Sequence, residues 1–138
     1  MNRRTILLVD DTPQIRKLIH KLIAHIFPDY DVFGVDSGQA ALEFMETASP
    51  TLIISDLQMP DMDGYDLMEQ LYKNDDHNEV AFMLISSWAD RGDDSQIRYE
   101  LEDRGLPVVP VACKPINVVD LQQKISMLLA SPLLQTAV

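Results

Sequence analysis

Short apolar runs alternate along this chain with longer stretches whose apolar residues recur at helical spacing, and the alternation repeats five times. The runs are Ile6–Val9, Val32–Val35, Leu52–Ile54, Phe82–Ile85 and Val108–Ala112. Each is short and mostly branched or aromatic, as strands buried on both faces are. Between them lie the helical patterns. In the first, Ile15, Leu18, Ile19, Leu22, Ile23 and Ile26 share one face, behind Thr12 as N-cap and Pro13 at the first helical position. The second runs from a Ser37 cap through Ala41, Phe44, Met45 and Ala48, and the third holds Leu67, Met68 and Leu71. The fourth centres on Ile97 and Leu101. The last starts at an Asn117 cap, close to a capping box with Asp120, and buries Val118, Leu121, Ile125 and Leu128.

Strands that alternate with helices build a parallel sheet covered on both faces. Pro110, inside the fifth run, has no N–H for a ladder bond, which puts that strand at a sheet edge. The strand order 2-1-3-4-5 supplies such an edge. The expected fold class is therefore α/β, a flavodoxin-like (βα)5 three-layer sandwich with a five-stranded parallel sheet. A length of 138 residues fits one domain large enough to bury a core. The expectation is a domain over 1–130, with 131–138 a short tail or the start of a linker. The single cysteine, Cys113, permits no internal disulfide, and it reads as a small buried residue rather than a redox site. That fits a reducing, cytoplasmic setting. No apolar stretch approaches a membrane span. With 22 acids against 11 bases the formal net charge is −11, so the chain repels phosphate backbones and is not expected to bind nucleic acid.

The acids are placed as well as numerous. Asp10 and Asp11 follow the first run, Asp56 the third, Ser86 the fourth and Lys114-Pro115 the fifth. In a parallel sheet these four loops open on one edge, where ligands bind in such folds. Carboxylates a few ångströms apart repel unless a cation neutralises them. Oxygen ligands alone suit magnesium (Mg²⁺). Taken singly, each residue has a plainer reading. Asp10 and Asp11 suit the positive end of the first helix. Asp61 and Asp63 suit turn formation in Pro60-Asp61-Met62-Asp63-Gly64, and Lys114 would be an ordinary solvated lysine. His20 and His25 interleave with Arg16, Lys17 and Lys21 as a polar face; His77 sits in a polar loop, and Asp90 to Asp94 reads as a solvated loop.

The stretch Asp56-Leu57-Gln58-Met59-Pro60-Asp61-Met62-Asp63-Gly64 resembles the D-x-x-M-P-x-x-D-G signature of response-regulator receiver domains in two-component signalling. Asp10-Asp11, Ser86 and Lys114-Pro115 match the family's other marks in the family's order, and the resemblance runs from about Thr5 to Leu129. It implies that Asp56 is the phosphoacceptor and becomes an aspartyl phosphate. It implies Mg²⁺ held by Asp11, Asp56 and the backbone carbonyl of Gln58, with Asp10 acting through a water. Lys114 would pair with a phosphate oxygen, Ser86 would report the phosphate, and the Lys114–Pro115 bond would be cis. Gln58 and Trp88 occupy positions that tune phosphate lifetime in the family. Val111 stands where the family usually has a switching Tyr or Phe, and the fourth-helix region departs furthest from the family pattern.

The function implied is a phosphorylation-dependent signalling switch, not an enzyme beyond its own phosphorylation and autodephosphorylation. Its donor would be a histidine kinase or histidine phosphotransfer protein. Its output would be an unknown protein docking on the face formed by the fourth helix, fifth strand and fifth helix, through which a homodimer is also open. Two other readings compete. A pseudo-receiver would bind partners without being phosphorylated. An Mg²⁺-dependent aspartyl-phosphate phosphatase would want a second Asp where this chain has Gln58.

Overall fold

The computed structural model describes residues 3–73, 79–87 and 94–130. Strands and helices alternate as β1 (Arg4–Val9), α1 (Pro13–Ile26), β2 (Tyr30–Val35), α2 (Gly38–Thr47), β3 (Leu52–Asp56), α3 (Gly64–Tyr72), β4 (Ala81–Ser86), α4 (Ser95–Asp103), β5 (Val111–Cys113) and α5 (Val118–Leu129). All strand pairings are parallel, and the order across the sheet is β2-β1-β3-β4-β5. Alternate side chains of each strand point to opposite faces. Leu7 and Val9, Ile53, and Phe82 and Leu84 therefore pack with Ala41 and Met45 of α2, Leu67, Met68 and Leu71 of α3, and Ile97 and Leu101 of α4. Ile6 and Leu8, Leu52 and Ile54, and Met83 and Ile85 pack with Ile19 and Ile23 of α1 and Leu121 and Ile125 of α5. Three helices cover one face and two the other.

The caps follow local chemistry. Ser37 Oγ accepts the Ala40 N–H, and Asn117 Oδ1 accepts the Asp120 N–H. Thr12 sits at the N-cap of α1, but its side chain makes no capping bond; Pro13 already removes one of the donors a cap would serve. Asp63, read from sequence as a turn former, is the N-cap of α3 and forms a reciprocal capping box with Asp66. The turn residue is Asp61, at φ 70°, a left-handed conformation that Asp tolerates.

Four expectations need correction. Strand β5 covers only Val111–Cys113; Pro110 precedes it and contributes its carbonyl, which accepts the Leu84 N–H at 3.0 Å. Leu18 is 50% exposed, because a six-residue apolar stripe is wider than the ridge that touches the sheet, and Leu18 lies on its flank. Val118 is 42% exposed because the first turn of α5 begins before the helix descends onto the sheet. Cys113 is half-buried rather than buried, with its Sγ 3.3 Å from the Lys114 carbonyl.

Candidate functional site

The parallel sheet brings the predicted residues to one edge. Asp10 immediately follows β1, Asp56 and Ser86 are the last residues of β3 and β4, and Lys114 immediately follows β5. Asp10, Asp56 and Ser86 are buried, Asp11 is exposed and Lys114 is half-buried. One carboxylate oxygen from each of Asp10, Asp11 and Asp56 lies within 4.8 Å of the others. Lys114 Nζ stands 3.0 Å from Asp56 Oδ2 and 3.8 Å from Asp10 Oδ2. Its backbone N–H donates to the Ser86 carbonyl at 3.0 Å, and the Lys114–Pro115 bond is cis.

One ammonium beside three carboxylates leaves the pocket short of positive charge. The shortage shows at Asp10. Its Oδ1 accepts the Thr12 N–H at 2.9 Å, while Oδ2 is buried without a hydrogen-bond partner. Burial pushes the Asp10 carboxyl above its ordinary range; the Thr12 bond and the Lys114 charge pull it back only in part. A buried carboxylate oxygen with no donor, among all-oxygen ligands, fits a hard divalent cation such as Mg²⁺. Asp10, Asp11 and Asp56 are the side chains placed to hold one.

The loop after β3 is folded back under Asp56. Leu57 N–H donates to the Ile85 carbonyl at 2.8 Å, and Gly64 N–H to the Leu57 carbonyl at 2.9 Å. A Cβ on Gly64 would lie 2.8 Å from Leu84 Cδ2 and 3.1 Å from the Asp56 carbonyl oxygen. Only glycine lets α3 begin this close to the strand end. Gln58 leans on the same site. Its N–H lies 3.4 Å from Asp56 Oδ1, its Oε1 is 3.5 Å from the Ser87 hydroxyl, and its Nε2 is buried without a partner. Trp88, His77 and residues 90–93 of the acidic loop lie outside the described residues. Val111 is 7% exposed and belongs to the core, where it packs among the residues facing α3 and α4.

The sequence reading placed Arg16 on a polar face. Its Nη1 instead donates to the Asp10 carbonyl at 2.8 Å. The available signal was Gly34, a glycine inside a strand of larger residues, which often marks a close approach by something else. His20, also assigned to that face, has its Nε2 2.9 Å from the Val32 carbonyl of β2.

The comparisons with known proteins agree with this architecture. The sequence profile of the response regulator receiver domain matches residues 6–126. Histidine kinase P4 of Formosa agariphila is 28% identical over 127 residues, which is 92% of this chain and 9% of that protein. The nitrate/nitrite response regulator protein NarL of Escherichia coli is 30% identical over 110 residues, 74% of this chain and 50% of NarL. The chain thus spans half or less of these curated relatives. The crystal structure of the receiver domain of a signal transduction histidine kinase from Syntrophus aciditrophicus superposes with a TM-score of 0.76 at 27% identity, covering 92% of this chain and 90% of that one. With the profile match spanning nearly the whole described fold, this chain belongs to the response regulator receiver domain family of two-component signalling.

Proposed function

We propose that this receiver is a phosphorylation-driven switch whose acceptor is Asp56. The observation that supports it most is the convergence of Asp10, Asp11, Asp56 and Lys114, with Asp10 Oδ2 buried and without a hydrogen bond. The Asp56 carboxylate attacks the phosphorus of a phosphohistidine. An O–P bond forms, the P–N bond breaks, and its electron pair returns to the imidazole, which takes a proton from solvent. Asp11, Asp56 and the Gln58 carbonyl, with Asp10 through a water, would hold Mg²⁺, which would supply charge neutralisation for the transferring oxygens. Lys114 moves from Asp56 Oδ2 to a phosphoryl oxygen, so its ion pair in the resting state becomes a contact to the added group. The Ser86 hydroxyl turns onto the same group and passes its presence to β4. Gln58 and Trp88 set how fast water removes it. Autodephosphorylation would be the only catalysis beyond the transfer itself.

The donor would be a histidine kinase or histidine phosphotransfer protein, in keeping with relatives named as kinases and response regulators. The output would be a partner, or a second copy, reading the α4-β5-α5 face. We place the domain at residues 1–130 and its work in the cytoplasm. Intact mass after incubation with Mg²⁺ and acetyl phosphate tests this reading, with Asp56→Asn alongside. A Mg²⁺-dependent gain of one phosphoryl group in the wild type and none in the variant is expected. No gain, with a phosphorylated kinase supplied as well, would overturn the switch and leave a binding scaffold.

A further inference from the structure

We infer that Arg16 is a positioning residue for the acid cluster, acting through the backbone of Asp10; this rests on the reading of that cluster as a cation site. Asp10 is pinned from three directions. Its N–H donates to the Val35 carbonyl of β2 at 3.1 Å. Its carbonyl accepts Arg16 Nη1 from α1 at 2.8 Å. Its Oδ1 accepts the Thr12 N–H at 2.9 Å. The first bond continues the sheet and the third is local to the loop. The Arg16 bond ties the residue to the body of α1, and it comes from a side chain six positions away.

The path of that side chain is built into β2. A Cβ on Gly34 would lie 3.2 Å from both Arg16 Cδ and Cγ. Gly34 pairs in register with Leu8, two residues before Asp10. The bare strand surface there lets the Arg16 stem lie flat and carry the guanidinium to the strand end. With backbone and Oδ1 fixed, Oδ2 is the one Asp10 oxygen left for the pocket, where it faces Lys114 Nζ at 3.8 Å. Arg16 therefore sets where that oxygen stands, without touching a cation or the phosphoryl group. Groups that orient ligands in this way typically change metal affinity by about 10- to 100-fold when removed.

Arg16→Met keeps an unbranched stem over Gly34 and removes the donor; Arg16→Lys restores a donor at nearly the same reach. Mg²⁺ affinity by calorimetry should fall about tenfold in Arg16→Met and recover in part in Arg16→Lys. The phosphorylation rate at saturating Mg²⁺ should stay within about twofold of wild type, because the acceptor and Lys114 are untouched. In metal-free protein, amide exchange at Thr12 should quicken in Arg16→Met, since its acceptor Oδ1 is no longer held. Wild-type Mg²⁺ affinity in Arg16→Met, or unchanged Thr12 exchange, would overturn the assignment. A wild type that binds no Mg²⁺ would instead sink the cation-site reading, and Thr12 exchange would still decide whether Arg16 positions Asp10.

Discussion

Asp10 is an expensive residue to keep ionised in this fold. Its folded-state pKa is raised above the ordinary value of 3.8, chiefly by burial, so the folded protein holds that proton more tightly than the unfolded chain does. The extra stability exists only when Asp10 is protonated. It is fully present below pH 3.8 and is lost as pH rises through the raised value. At neutral pH the ionised side chain is thus a net cost in the absence of a cation. Asp10→Asn removes that cost and leaves an Oδ1 for the Thr12 N–H. Metal-free Asp10→Asn should melt a few degrees above wild type at pH 7, the shift about 1 kcal/mol produces in a domain of this size. The gap should close as pH falls toward 3.8. With Mg²⁺ the gap should shrink or reverse, since the wild type, with Asp10 charged beside the site, gains more binding energy than the variant. Melting curves with chelator or Mg²⁺ at several pH values check it; a variant less stable than wild type at neutral pH without metal would refute it. Gly64 works on the same scale by a different force. It has no charge to tune, and its missing Cβ lets α3 start against the Asp56 carbonyl.

At the scale of elements, α3 and α4 are tied together by one arginine at the end of α4. Arg104 Nε donates to Glu100 Oε2 at 2.6 Å, and its Nη1 reaches Glu69 at 3.0 Å and Asp66 at 3.4 Å on α3. The guanidinium also lies over the Tyr65 ring, 4.8 Å from its centroid. The bond to Glu100 leads the causes that drive the Arg104 pKa upward, so the clamp keeps its charge at any working pH. The partner carboxylates are more than a third exposed, which limits what each pair contributes. Arg104→Met should cost about 1 kcal/mol of stability at low salt, and the loss should shrink in high salt as screening weakens the wild-type pairs. Denaturant unfolding at two ionic strengths checks both; an undiminished loss in high salt would mean the stem packing, not the charge, holds the helices. Glu100 and Arg104 stand four apart, a local spacing, but the cross-helix half of the clamp was not legible in the sequence. Arg104 stands 38 positions from Asp66 and 35 from Glu69, and no local pattern announces a pairing at that distance. Several local signals are legible. The fourth helix pattern centres on Ile97 and Leu101, both of them buried in the structure, and Ser37 and Asn117 cap their helices as read. The Asp63–Asp66 box was open to the same reading and was missed, because Pro-Asp-Met-Asp-Gly also spells a turn. The carboxylates and Lys114 were legible because strand ends in a parallel sheet must share an edge. Arg16 was not, since its role depends on a bare patch of another strand.

At the scale of the whole molecule, alternation called for a parallel sheet covered on both faces, and the flavodoxin-like order expected for it is the order found. Pro110 stands just before β5, an edge strand, and β2 is the other edge. Edge position also explains why β2 is half-exposed, with Phe33 packed beside Phe44 of α2 rather than buried between layers. The central strands β1, β3 and β4 carry the acids and Ser86 and are the ones buried on both faces. The site therefore stands on the most deeply buried strands, and Lys114 reaches it from an edge. That edge is covered by α5, so the integrity of α5 decides whether Lys114 is held in place. Leu121 and Ile125 are fully buried against β1, β3 and β4, and Leu128 and Leu129 pack partly on the same cluster. Every described core contact is thus complete by Leu129. Ending the chain after Ala130 should leave the melting temperature and Asp56 phosphorylation by acetyl phosphate as they are in the full chain. Ending it after Asn117 removes four residues of that core layer and should leave a chain that does not fold. Melting curves and intact mass on the two truncations decide it: a drop of several degrees on ending after Ala130 would move the domain boundary beyond residue 130 and give 131–138 a structural part in holding α5.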